Sequence, residues 1–115
     1  MWRRTATAIA TMVLTATGIA VAPAASAAEA CPAGKLCLYS STGFVNMKFQ
    51  TGSVNTCWEL AFFGLDSVRS YVNNMNGYAR FYSQLIPPKK VWEIRDGGSS
   101  SNSTTFTGEL YVCTD

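Results

Sequence analysis

Four cysteines, Cys31, Cys37, Cys57 and Cys113, constrain this 115-residue chain more than any other feature. Whether they staple the fold or ligate a metal depends on where the chain works, and its first residues bear on that. Arg3 and Arg4 make a basic start, Ala6 to Ala22 a weakly apolar run, and Ala25-Ser26-Ala27 a small-x-small pattern. This is the layout of a secretory signal, with cleavage expected after Ala27. The run is short, Thr-rich and followed by Pro23, which argues against a retained membrane span. The rest, residues 28–115, reads as one domain in an oxidising compartment, where paired thiols persist.

A domain of that size gains from covalent staples. Of the three possible pairings, the favoured one is Cys31–Cys37 with Cys57–Cys113. Cys31-Pro32-Ala33-Gly34 suits a type I turn, with Pro second and Gly fourth, and such a turn brings the first two cysteines together. The second bridge would tie the C-terminal strand to the middle of the chain. By loop-closure entropy the two contribute roughly 2 and 4 kcal/mol. A zinc site is disfavoured, because the chain has no His and the cysteine spacings do not suit one. Without Arg3 and Arg4, seven basic residues face seven acidic ones, so neither nucleic acid nor an anionic membrane is an expected partner.

The domain reads as all-β. Leu36–Tyr39, Phe44–Gln50, Ser67–Asn73, Tyr78–Ser83, Lys89–Arg95 and Leu110–Thr114 are the expected strands. Along 67–73, Val68, Ser70 and Val72 share one face, and Ser67, Arg69 and Tyr71 the other. Asn76-Gly77 signals a hairpin between the third and fourth strands. Pro87-Pro88 ends the fourth, since neither residue can donate to a ladder. Residues 96–105 read as a flexible polar segment. Residues 56–64 have weak helical character, with Trp58, Phe62 and Phe63 on a single turn covering one end of the sandwich. Short strands between turn clusters indicate a sandwich or Greek-key barrel.

The inventory argues against catalysis. Without His, neither a Ser-His-Asp nor a Cys-His arrangement can be built. Paired cysteines leave no thiolate, no glycine-rich cradle precedes a helix, and the carboxylates are scattered. The chain therefore reads as a binding protein, not an enzyme. Its many aromatics, Trp58, Phe62, Phe63, Tyr71, Tyr78, Tyr82, Trp92 and Tyr111, are expected to be mostly core.

Residues 31–44, "CPAGKLCLYSSTGF", resemble the start of the secreted bacterial metalloproteinase inhibitors of the Streptomyces metalloproteinase inhibitor type, with their C-P-x-G-x-x-C-x-Y segment. Residues 66–83, "DSVRSYVNNMNGYARFYS", are similar to that family's S-x-R-S strand, hairpin and aromatic-ended strand. The resemblance implies a βγ-crystallin-like Greek-key sandwich. Tyr39 to Asn46 resembles the Y-x-x-x-x-F-x-G corner of that fold, with Asn46 in place of the final Gly, a residue that tolerates the left-handed region. The second corner, from Tyr82, lacks both the aromatic and the Gly. Where some crystallin-like domains bind calcium, Phe62-Phe63-Gly64-Leu65-Asp66-Ser67 offers two phenylalanines, so no metal and no cofactor is expected.

The resemblance implies inhibition of a secreted, thermolysin-like metalloprotease by a substrate-like segment that enters its cleft. The corresponding stretch is "KKVWEIR", residues 89–95, giving Val91, Trp92, Glu93, Ile94 and Arg95 as protease-contact residues. It has no cysteine pair of its own, whereas the family's loop is closed by one. Thermolysin-like enzymes favour a bulky apolar residue after the cut bond, which suits Glu93–Ile94 or Val91–Trp92. Read as a plain strand, the same stretch would turn Trp92 and Ile94 to the core and Glu93 and Arg95 outward. The expected state is a secreted monomer. The alternative is a non-inhibitory module that binds cell-wall glycan or another extracellular protein.

Overall fold

A computed structural model describes residues 27–104 and 108–115. The secretory signal expected at 1–27 lies outside the described residues except for Ala27. Eight strands form two antiparallel four-stranded sheets: β1 Leu36–Ser41, β2 Val45–Thr51, β3 Thr56–Glu59, β4 Ser70–Asn73, β5 Ala79–Gln84, β6 Lys89–Ile94, β7 Ser99–Ser100 and β8 Tyr111–Thr114. The first sheet has the order β2-β1-β4-β7 and the second β3-β8-β5-β6. Each half of the chain thus lends its third strand to the other half's sheet. Two Greek keys interlocked in this way are the βγ-crystallin-like sandwich. Both disulfides form as expected, Cys31–Cys37 and Cys57–Cys113.

The core lies between the sheets, where Leu36, Leu38, Phe49, Leu60, Val68, Phe81, Ile94 and Val112 are buried. In register, Leu38 opposes Tyr71 and Leu36 opposes Asn73, which puts these four on the core side of β1 and β4. Cys37 and Tyr39 point the other way yet are also fully buried. Residues 28–31 cover that outer face: the Glu29 amide donates to the Phe44 carbonyl at 2.7 Å, and the Tyr39 hydroxyl donates to the Glu29 carbonyl at 2.7 Å. β1 is therefore enclosed on both faces, which accounts for the unbroken burial of its first four residues, Leu36 to Tyr39. Burial, and secondarily the Glu29 carboxylate, push the Tyr39 hydroxyl pKa up.

Tyr39→Phe is accordingly expected to cost about 1–2 kcal/mol, because the Glu29 carbonyl loses its donor. In the wild type, this hydroxyl's contribution is complete below the ordinary tyrosine range and is lost as pH rises through the raised folded-state value. Chemical denaturation of both proteins from neutral to alkaline pH should show the phenylalanine variant losing less stability on the alkaline side. Equal losses would contradict this placement.

The Tyr39–Asn46 corner forms as the resemblance implies. Phe44 and Asn46 take φ of 62° and 60°, and the Tyr39 and Phe44 rings meet edge to face at 5.7 Å. Buried Ser70 holds the corner from β4, its hydroxyl donating to the Ser41 carbonyl at 2.6 Å and accepting from the Phe44 amide at 3.0 Å. Several local expectations are corrected. The turn after Cys31 is shifted by one residue: the Lys35 amide reaches the Pro32 carbonyl, and Gly34, in third position, takes φ of 76°. The strand expected from Ser67 starts at Ser70, and Trp58 lies in β3, ahead of a single 3₁₀ turn at Leu60–Phe63.

Asn76-Gly77 does not close a hairpin. β4 and β5 belong to different sheets, and neither residue has positive φ. The crossover is organised instead by the buried Asn73 side chain, whose amide nitrogen donates to the carbonyls of Gly77 at 2.9 Å and Arg95 at 3.1 Å. Its oxygen accepts from the Met75 amide at 3.0 Å. The polar segment from residue 96 is also ordered in part. Ser99–Ser100 pair with β4 as β7, and buried Ser103 donates through its hydroxyl to the Val68 carbonyl at 2.8 Å. Small polar side chains let this segment lie close against its neighbours. At Gly98 a Cβ would come within 2.9 Å of Ile94 Cγ2.

Candidate functional site

The stretch singled out from sequence lies on the β5–β6 hairpin. β5 is an inner strand of the second sheet, anchored by fully buried Phe81, and β6 is an edge strand. On the solvent side, Arg80 of β5 stands directly opposite Glu93 of β6. Arg80 Nε donates to Glu93 Oε1 at 3.1 Å, and Lys90 Nζ reaches the same oxygen at 2.8 Å. Arg80 also pairs with the Asp115 carboxylate and lies 4.9 Å over the Tyr78 ring. These contacts tie β6 to β5 and β5 to the end of the chain. The Lys90 hydrogen bond, opposed by some desolvation and reinforced by Arg80, holds the Glu93 carboxyl below its ordinary range. A depressed carboxylate stabilises above its unfolded-state pKa, so this brace is lost as pH falls through the folded-state value.

Gln84 to Lys89 turn the hairpin. The Gln84 side-chain amide donates to the carbonyls of Ile86 at 3.2 Å and Pro87 at 3.1 Å. Pro87 and Pro88, each with φ fixed by its ring, follow at once, and the Ile86–Pro87 bond is cis. At the tip Ile86 is 91% exposed, the most open large apolar side chain among the described residues.

Of the five predicted contact residues, Val91 to Ile94 lie in β6 and Arg95 just past it, and they do not share one environment. Phe81 opposes Trp92 while Tyr82 opposes Lys90, so β6 carries a bulge with Val91 as its extra residue. The bulge breaks the alternation at Val91 and leaves Trp92, Glu93 and Ile94 in plain register with Phe81, Arg80 and Ala79. Val91 packs against the core and Ile94 is 3% exposed, whereas Trp92 is 42% exposed. A matching register shift occurs in β2, where Phe49 takes the place that Trp92 has in β6. Phe49 is buried against Trp58 and Phe63, with ring centroids at 5.2 and 4.8 Å. Glu93 sits in the ion-pair network. Arg95, just past the strand, is exposed, with its carbonyl bound by Asn73. Trp92 keeps the sheet face of Ile94 and Phe81 that alternation predicts, but on an edge strand it stays 42% exposed, while Ile94 is buried.

Sequence reasoning passed over Gln84 and Ile86. The available signal was an apolar pair, Leu85-Ile86, between a side-chain amide and two prolines. A second exposed apolar feature lies elsewhere: Phe62, on the 3₁₀ turn, is 84% exposed.

The model of peptidase inhibitor family I36 matches residues 24–85, more than half of the chain. The chain belongs to peptidase inhibitor family I36. This is the family of the Streptomyces metalloproteinase inhibitor type that residues 31–44 resemble. The matched residues take in the first Greek key and β5 and stop at the tip of the hairpin, so β6 of this I36 member lies beyond them. No curated protein and no solved structure matches the chain significantly.

Proposed function

We propose that this I36 protein is secreted, is released by cleavage after Ala27 as a one-domain monomer of residues 28–115, and inhibits a thermolysin-like metalloendopeptidase. The protease cleft would receive the β5–β6 hairpin, with contacts from the Val91–Arg95 segment. The observation that carries this reading is Trp92, a large apolar residue 42% exposed on a strand braced by the Arg80–Glu93–Lys90 network. Trp92 supports Val91–Trp92 over Glu93–Ile94 as the more substrate-like bond of the two, because the Ile94 side chain is committed to the core. Ordering before binding is what an inhibitor needs, since little freedom is then lost on association. Here, strand pairing, ion pairs and the Gln84 amide supply order without a local cysteine pair. Family membership supports a role as inhibitor and not as catalyst. The two disulfides fit an extracellular setting.

Titrating the mature protein, disulfides verified, against a thermolysin-like metalloendopeptidase is expected to give inhibition at or below about 1 μM. Trp92→Ala should raise the apparent inhibition constant about tenfold, equivalent to roughly 1.4 kcal/mol of contact energy. Wild-type protein without effect at ~10 μM would sink the metalloendopeptidase assignment. If that same protein were retained on insoluble polysaccharide, the glycan-binding alternative would replace it.

A further inference from the structure

We propose that Ile86, at the tip of the β5–β6 hairpin, is the primary anchor of the inhibitor. It would fill an apolar subsite of the protease cleft apart from the one that receives Trp92. This inference rests on the metalloendopeptidase reading and names a contact outside the 89–95 segment.

Three observations converge on Ile86. It is 91% exposed, so it contributes little to the core, and its exposure needs another explanation than packing. Its loop is nevertheless held. The Gln84 amide bonds the carbonyls on both sides of the Ile86–Pro87 bond, at 3.2 and 3.1 Å, and two proline rings restrict the backbone beyond it. Polar side chains flank the apolar tip: Gln84 on one strand, Lys89 and Lys90 on the other, both lysines exposed. An apolar anchor inside a polar rim, on a backbone ordered in advance, is the arrangement that concentrates binding energy in one residue. Phe62, nearly as exposed, lies on a 3₁₀ turn that has no side-chain cap.

The residue after the anchor also suits inhibition over turnover. An extended substrate pairs with a protease cleft through its backbone N–H and C=O groups, and Pro87 has no N–H to give. A chain anchored through Ile86 therefore lacks the backbone donor that an ordinary substrate offers at the next position. It can occupy the subsite without the full alignment of a substrate.

The test compares Ile86→Ser and Ile86→Leu with the wild type against a thermolysin-like metalloendopeptidase, each mature protein folded and with both disulfides formed. Ile86→Ser is expected to raise the apparent inhibition constant at least about 30-fold, the scale of an interface hot spot. Its thermal unfolding midpoint should stay at the wild-type value. Ile86→Leu, which keeps an apolar side chain of equal size, should inhibit within about threefold of wild type. Should Ile86→Ser also inhibit within threefold of wild type, this inference is overturned while the metalloendopeptidase reading stands. A wild type that does not inhibit at ~10 μM removes both.

Discussion

Asn73→Ala is expected to lower the unfolding free energy by about 3–5 kcal/mol. The substitution strips partners from the Met75 amide and the Gly77 carbonyl, while the Arg95 carbonyl keeps the Gly98 amide, and each polar group left unsatisfied in a buried setting costs roughly 1–3 kcal/mol. Water cannot readily replace the side chain, since Asn73 itself is fully buried. Asn73→Asp provides the control of sign. At neutral pH it would set a carboxylate against carbonyl oxygens, which no donor then bridges. Burial and those oxygens raise the carboxyl's folded-state pKa, so the deficit relative to wild type should shrink as pH falls through that raised value. Urea denaturation with both disulfides intact measures both effects. A cost for Asn73→Ala below about 1 kcal/mol would remove Asn73 as the organiser of the crossover.

Removing the Cys57–Cys113 bridge as a double Cys→Ser variant is expected to cost about 4 kcal/mol, against about 2 kcal/mol for replacing Cys31 and Cys37 by Ala. The difference follows from loop length, since the partners are 56 residues apart in one case and 6 in the other. The longer bridge joins directly opposed residues of β3 and β8 and closes a loop that runs through both sheets. A domain of this size has a stability of roughly 5–10 kcal/mol, so the larger loss removes a large part of the total. Unfolding midpoints of the two double variants decide the matter. Equal losses, or a larger loss at Cys31–Cys37, would mean that closure entropy is not the main contribution of these bridges.

These two predictions divide along what could be read before the fold was known. The cysteine pairing was legible because a turn, a short loop and an oxidising compartment suffice to argue it. The Tyr39–Asn46 corner was legible for a similar reason: it is a short-range motif, and Asn46 can enter the left-handed region on its own chemistry. Asn73 was not. In the sequence it is a polar residue at the end of a strand, next to an Asn-Gly pair that signals a hairpin. That pair was outweighed because the flanking strands find partners in different sheets, and a Greek-key crossover needs a buried bridge more than a tight turn. Ser99–Ser100 failed as a strand signal because β7 contributes close backbone approach and almost no apolar side chain.

The hairpin that carries the proposed site shows the same division. Strand identity over Lys89–Ile94 and the inward face of Ile94 follow from alternation. The exposure of Trp92 does not, because alternation gives only the face it shares with Ile94 and Phe81, and the place of β6 at the edge of its sheet leaves that face partly open. Nor could composition show that Gln84 turns back to brace the Ile86 and Pro87 carbonyls, leaving Ile86 in the open. The sequence by itself determined the covalent staples, the strand-rich character and the first corner, since these depend on residues close in the chain or on pairing chemistry. Tertiary structure alone decided sheet membership, the side-chain bridges and which apolar groups face water. Those outcomes depend on contacts between segments far apart in the chain, whose free energies outweigh the local preferences of either segment.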